Sequence, residues 1–207
     1  MLRCSRRGSL CRALSIVLFV TAGVFVGEAQ QDPCNCTPNV GKKRPYRLDA
    51  KWETKYSSYP VCPDTITSST VRAWERRYQK KMKRDVIWST KRLKKTPEDT
   101  LYVLKGWMWY VKQEVDCDFH IEIGPKAKSG KRTVIEVTKN SCELQKAILK
   151  RMEQEKYKLG KEFKKGIPCV VVGLGFYDGQ HPLKSHSRAA ERGSSWELHP
   201  VKSIEFR

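Results

Sequence analysis

Residues 116–123 read D-C-D-F-H-I-E-I and place four ionisable side chains at alternate positions: Asp116, Asp118, His120 and Glu122, with Cys117, Phe119, Ile121 and Ile123 between them. Successive side chains of a strand point to opposite faces, so the pattern predicts a half-buried strand with one apolar and one ionisable face. The same residue types return in F-Y-D-G-Q-H at 176–181 and in W-E-L-H-P-V at 196–201. With Glu136 they form one pool: Asp116, Asp118, His120, Glu122, Glu136, Asp178, His181, Glu197 and His199.

Three chemistries suit that pool. In the first, His120 and His199 are partly buried and hydrogen-bonded to carboxylates, and they lock the last strand to an earlier one. In the second, histidines and carboxylates from neighbouring strands hold a divalent metal, with Asp116, Asp118, His120, Asp178 and His181 as the candidate ligands; an oxygen-rich set favours calcium or magnesium over zinc. In the third, a histidine oriented by a carboxylate acts as a general base, with His120, Asp118, Glu197 and His199 as the candidates. No nucleophile elbow surrounds Ser185, Ser187, Ser194 or Ser195. Gly173-Leu174-Gly175 is too short for a phosphate loop. No cofactor is implied, apart from the divalent ion the second chemistry could hold.

These residues need a scaffold, and the chain beyond Thr100 supplies β-pattern. A long aromatic and apolar strand is expected over 101–111, bent at Gly106, followed by the strand at 116–123 and one at 132–137. A helix capped by Asn140 or Ser141 comes next, with Leu144, Ile148, Met152, Leu159 and Phe163 at helical spacing. Strands at 168–177 and 196–206 close the chain, joined by a polar loop. Three strands, a helix and two strands is the order of a five-stranded OB-like Greek-key barrel, with the helix between strands 3 and 4. The fold class is therefore mainly β (α+β), with the barrel over residues 100–207.

The first 29 residues read as a secretory signal peptide. Arg3, Arg6, Arg7 and Arg12 precede an apolar run at 13–26, and Gly27-Glu28-Ala29 offers a small-residue cleavage site. The competing reading is an uncleaved signal anchor. No later apolar run is long enough to span a bilayer. The expected locale is secreted, extracellular or periplasmic, and a monomer is expected. The 207 residues carry a formal charge of +19, and cleavage would leave about +16. A field of that size implies polyanionic neighbours such as nucleic acid, acidic polysaccharide or an anionic envelope surface.

Six cysteines remain after Cys4 and Cys11 leave: Cys34, Cys36, Cys62, Cys117, Cys142 and Cys169. An even count in an exported chain is read as disulfides, and if all six pair, at least one bridge must tie residues 30–67 to the barrel. The absence of a paired C-x-x-C argues against a zinc module. Residues 30–67 read as an irregular extension, with an acceptor pattern at Asn35-Cys36-Thr37. Residues 68–99 read as a basic helix and linker. Val71, Trp74, Tyr78 and Met82 mark one face, and Arg72, Arg76, Arg77, Lys80, Lys81, Lys83 and Arg84 the other. That basic face, with Trp107 and Trp109 as base-stacking platforms, is the expected polyanion-binding surface.

From about Val71 onward the sequence resembles a family of small, uncharacterised bacterial proteins. Its marks are a D-G-D-x-H-L strand, a strand ending E-x-P-x-x-x-C, an F-F-D-x-x-H stretch and a closing I-E-L-H-P-V. Here they read Asp116-Cys117-Asp118-Phe119-His120-Ile121, Glu136 leading to Cys142, Phe176-Tyr177-Asp178 with His181, and Trp196-Glu197-Leu198-His199-Pro200-Val201. The resemblance implies an OB-like barrel distantly similar to staphylococcal-nuclease-type barrels, and it brings no activity. Cys117 stands where the family has glycine. The arginine–carboxylate set of staphylococcal-type nucleases is not found. Taken together, the sequence leans away from an enzyme and points to a secreted, basic binding module for polyanions. A metal-assisted hydrolase and a purely structural secreted protein are the alternatives.

Overall fold

The computed structural model describes residues 32–37, 56–78, 94–178 and 194–207. The expected leader, Lys80, Lys81, Lys83, Arg84 and His181 lie outside them. Among the described residues the elements run β1 (Val61–Ile66), α1 (Ser68–Tyr78), β2 (Leu101–Gln113), β3 (Phe119–Gly124), β4 (Thr133–Val137), α2 (Cys142–Gln154), β5 (Ile167–Tyr177) and β6 (Trp196–Phe206).

β2 organises the sheet because it pairs on both sides. Leu101 to Met108 run antiparallel to β5, and Trp107 to Gln113 run antiparallel to β3. Gly106 sits at the changeover. A Cβ there would lie 2.6 Å from Ile123 Cγ2 and 2.9 Å from the Gly124 carbonyl oxygen, so only glycine lets the two strands approach. β3 pairs antiparallel with β4, β4 parallel with β6, and β6 antiparallel with β5. The ring β2-β3-β4-β6-β5 closes back on β2. This is a five-stranded OB-type barrel, with α2 between its third and fourth strands as the element order predicts.

The interior is filled by Leu104, Met108, Val111, Phe119, Ile121, Ile123, Ile135, Val171 and Leu198, with Ile148 and Met152 of α2 in the same cluster. Each such side chain contributes about 1.5–3 kcal/mol on burial. α1 docks through Val71 and Trp74, whose indole meets Tyr102 at 4.6 Å and Trp196 edge-on at 5.9 Å. The aromatic positions of that helix therefore pack on the core, and Arg76 and Arg77 face outward.

Four expectations are corrected. Residues 61–66 are not irregular; they form β1, which pairs parallel with β2. α2 stops at Gln154 and does not run on to Phe163. Lys156 and Gly160 adopt positive φ (59° and 70°), which breaks the helix. The segment then runs back along β2, where Gly160 and Phe163 donate their amides to the Val111 and Trp109 carbonyls, so Phe163 is buried without being helical. β3 begins only at Phe119, and both of its faces are buried, the ionisable one included. Finally, two disulfides form among the described residues instead of three: Cys34–Cys142 and Cys36–Cys117 tie the extension to the barrel, while Cys62 and Cys169 are thiols. Cys169 sits inside β5, and burial pushes its thiol up to about 12, which leaves it inert.

Candidate functional site

Strand register decides which members of the ionisable pool meet. His120 lies directly across from Glu136 in the β3–β4 pair, and Ile135 of β4 is level with Leu198 of β6. That second match sets Glu136 beside Glu197 and His199, the two neighbours of Leu198. Glu136 therefore stands between two histidines. Its Oε2 is 2.7 Å from His199 Nδ1, and its Oε1 is 3.4 Å from His120 Nδ1. Glu197 Oε1 lies 3.4 Å from His199 Nδ1, and Glu114 Oε1 lies 3.9 Å from His120 Nδ1. The ring of Phe176 covers His199 at 5.3 Å between centroids.

Asp118 reaches the same place from the turn that precedes β3. The turn is closed by hydrogen bonds from the Glu114 amide to the Asp118 carbonyl (2.8 Å) and from the Cys117 amide to the Glu114 carbonyl (3.1 Å). The Asp116 carboxylate accepts from the Asp118 amide at 3.1 Å, an Asx-type turn that keeps Asp116 out of the cluster. Cys117 has φ 74°, the left-handed region that favours glycine, and its side chain is bridged to Cys36. Here the disulfide is borne at a position whose backbone suits glycine. Gln145 of α2 donates to the Cys117 and Val137 carbonyls, and the Lys139 amide donates to Asp118 Oδ1 at 2.8 Å. As a result one ligand atom each from Asp118, Glu136 and His199 falls within 4.8 Å of the others.

The groups are almost dry. His199 is 2% exposed, Glu197 5%, His120 8% and Asp118 9%. Glu136 opens further toward solvent, with 17% of its side chain exposed. Burial pushes Asp118 up to about 7, with Asp116 and Glu136 adding to the rise and His199 opposing it. Burial and the neighbouring Glu136 charge push Glu197 up to about 8. Burial disfavours the His199 cation, yet Glu136 and Glu197 outweigh it and hold that imidazole up at about 10. Burial likewise works against the Glu136 anion, but its two histidine partners prevail and hold it well below the carboxylate range. The resting pattern is an ionised Glu136–His199 pair flanked by carboxyls that retain protons near neutrality.

The expected candidates now separate. His120, His199, Glu197 and Asp118 converge. Of the expected metal ligands among the described residues, only Asp118 belongs to the three-donor set, and Glu136 and His199 complete it. Asp178 donates its amide to the Ser195 carbonyl, and its charge adds to the rise of Glu197. Glu136 is the hub, a role its sequence context does not announce. The one local signal is T-V-I-E-V, where a single charge interrupts an apolar strand. A second three-member grouping, Cys34, Cys142 and Glu143, is no ligand set because its sulfurs are bonded to each other.

Further along the same strands the ionic character changes. Glu122 pairs with Arg132 at 3.0 Å, and Arg132 also hydrogen-bonds Glu162 and lies over the Trp109 ring. Trp109 is 3% exposed and donates its Nε1–H to the Pro125 carbonyl, so it is a buried anchor and no stacking platform. Trp107 is half-buried. Around this anchor the β3–β4 connection exposes Lys126, Lys128 and Lys131, and the α2–β5 connection exposes Lys158, Lys161 and Lys164. On α1, Arg76 and Arg77 are exposed and Arg72 is half-buried.

No protein-family model matches the sequence, and no curated protein matches it. Among solved structures, asparaginyl-tRNA synthetase of Entamoeba histolytica is similar over 52% of this chain, with a TM-score of 0.32 and 15% identity. The match spans 20% of that protein's length. The barrel is accordingly read from this chain's own strand order. No helix among the described residues is long and apolar enough to cross a membrane.

Proposed function

We propose that this chain is an exported binding module for polyanions, and that the lysine-rich end of the barrel is its contact surface. One observation carries the reading. Two connections, from β3 to β4 and from α2 to β5, carry eight exposed lysines, while the two glutamates among them, Glu155 and Glu162, are already engaged. Glu162 is hydrogen-bonded to Arg132 and lies 3.5 Å from Lys128, and these cations hold its carboxyl below the usual range. Lysines outnumber glutamates eight to two there, so the connections keep a net positive charge. Arg76 and Arg77 of α1 add exposed charge elsewhere on the surface. Two disulfides fit an extracellular location.

The test is fluorescence anisotropy with a heparin oligosaccharide and with a single-stranded oligonucleotide, at about 50 and 200 mM salt. Counterion release should weaken binding by about tenfold or more across that range. A preference for one probe assigns the class of polymer. Absent binding, or binding indifferent to salt, removes the proposal.

A second reading is favoured by the way Glu136 and Glu197, both against His199 Nδ1, are pushed apart in acidity, an arrangement suited to a general acid and a general base. It makes the chain a hydrolase of the polymer it binds. His120→Ala should then abolish cleavage while the chain stays folded, and an absence of cleavage by the wild type at any pH between about 5 and 9 eliminates it.

A further inference from the structure

The geometry points to a binding site for one divalent transition-metal ion of the zinc type, with Asp118, Glu136 and His199 as its ligands. The inference goes beyond polyanion binding and stands or falls separately from it. Three separate elements deliver the donors: the turn before β3, β4 and β6. Their ligand atoms already lie within 4.8 Å of one another. An ion about 2.0–2.2 Å from each oxygen and nitrogen needs donors up to roughly 4 Å apart, so only a small closure is required.

The second observation is independent of the first. His120 is 8% exposed, and its Nε2 has no hydrogen-bond partner among the described residues. A buried imidazole nitrogen without a partner is rare; this one lies outside the Asp118–Glu136–His199 set, and the ring serves that set through its other nitrogen. That nitrogen points at Glu136, 3.4 Å away. That contact makes His120 the positioning residue that orients Glu136, in the way a second layer of groups orients metal ligands.

The donor set selects the ion. One imidazole and two carboxylates suit zinc or a neighbouring first-row dication; calcium and magnesium prefer all-oxygen sites with six or more ligands. Charge balance agrees. A dication beside two ionised carboxylates and a neutral imidazole gives a neutral site. Metal uptake replaces the Glu136–His199 contact with two metal bonds. The supports are firm. Lys139 and the Asx turn fix Asp118, and the Cys36–Cys117 disulfide holds the adjacent backbone.

The test is isothermal titration of zinc chloride into the full, disulfide-bonded, untagged chain. One equivalent should bind, and Asp118→Asn or Glu136→Gln should each weaken binding by about tenfold or more. Glu143→Gln, beside the exposed Cys34–Cys142 bridge, should leave it unchanged. Should the two variants fail to fold by circular dichroism, the wild type decides: one equivalent of zinc must shift the imidazole nitrogen resonances of His199. No saturable binding, binding unaltered in folded Asp118→Asn and Glu136→Gln chains, or unmoved His199 resonances would each overturn the proposal.

Discussion

The outer faces of β3 and β4 carry two ionic regions a few residues apart, and they obey opposite rules. At His120 and Glu136 the charges are buried, few and mutually dependent. At the end built around Trp109 one linked set, Glu122–Arg132–Glu162–Lys128, is ringed by numerous exposed lysines. A solvated lysine is inexpensive to keep and contributes little to stability. A buried carboxylate between two imidazoles is expensive unless every partner is present, and an apolar replacement of the whole group would often be no less stable. Charge retained at high cost is the better pointer to a site of chemistry. Charge retained at no cost points to a surface that attracts.

The sharpest way to break this contrast is to remove the hub. Glu136→Leu strands two buried histidines and should destabilise the fold by about 3–5 kcal/mol in urea titrations near neutral pH. Lys128→Leu should change stability by no more than about 0.5 kcal/mol. Equal effects would dissolve the distinction between the two regions.

The next test is pH dependence in the presence of a chelator. Asp118 is raised from the ordinary carboxylate value of 3.8 to about 7, so between those values the folded chain holds a proton that the unfolded chain has lost. Stability must therefore fall as pH rises through that window. Glu197, raised to about 8, and His199, raised to about 10, extend the fall to higher pH. Glu136, being lowered, works the other way and contributes stability above the ordinary carboxylate range that is lost on acidification. Asp118→Asn should flatten the decline between about pH 4 and 7 by up to about 4 kcal/mol, since a proton held across one pH unit is worth about 1.4 kcal/mol. Urea midpoints across that range measure it, and an unchanged slope in the variant would mean that Asp118 is not buried as described.

Smaller effects belong to the lysine end. Reversing Lys126, Lys128 and Lys131 to glutamate should weaken heparin or oligonucleotide binding at least about tenfold, about 1.4 kcal/mol, and lower its salt slope. Stability should hold within about 0.5 kcal/mol. The least effect expected is from Gly160→Ala. It forces a side chain into left-handed backbone (φ 70°) where no atom lies in the way, so about 1 kcal/mol of pure conformational strain is expected by thermal melting.

Much of the barrel could be read in advance because its signals are local. The alternation of Phe119, Ile121 and Ile123 against His120 and Glu122 reports a strand whatever it pairs with. Gly106 in an aromatic run reports a bend. Local signals failed where long-range contact overrode them. Leu159 and Phe163 keep helical spacing with α2, but Trp109 and Val111 offer their carbonyls to a segment that has left the helix. Residues 61–66 carry a proline and no clean alternation, and they become a strand only because the free edge of β2 is there to pair with.

The amino-acid sequence alone determined the order of the barrel's own elements, the strongly cationic balance and which side chains could ionise, since each is fixed by residue type and near spacing. Pairing of Cys34 with Cys142 and of Cys36 with Cys117 was left to tertiary structure, as was the meeting of Asp118, Glu136 and His199 from three separate elements. The physical reason is register. A strand records along its own length which face a side chain takes, but nothing in it records which residue of another strand will stand beside it.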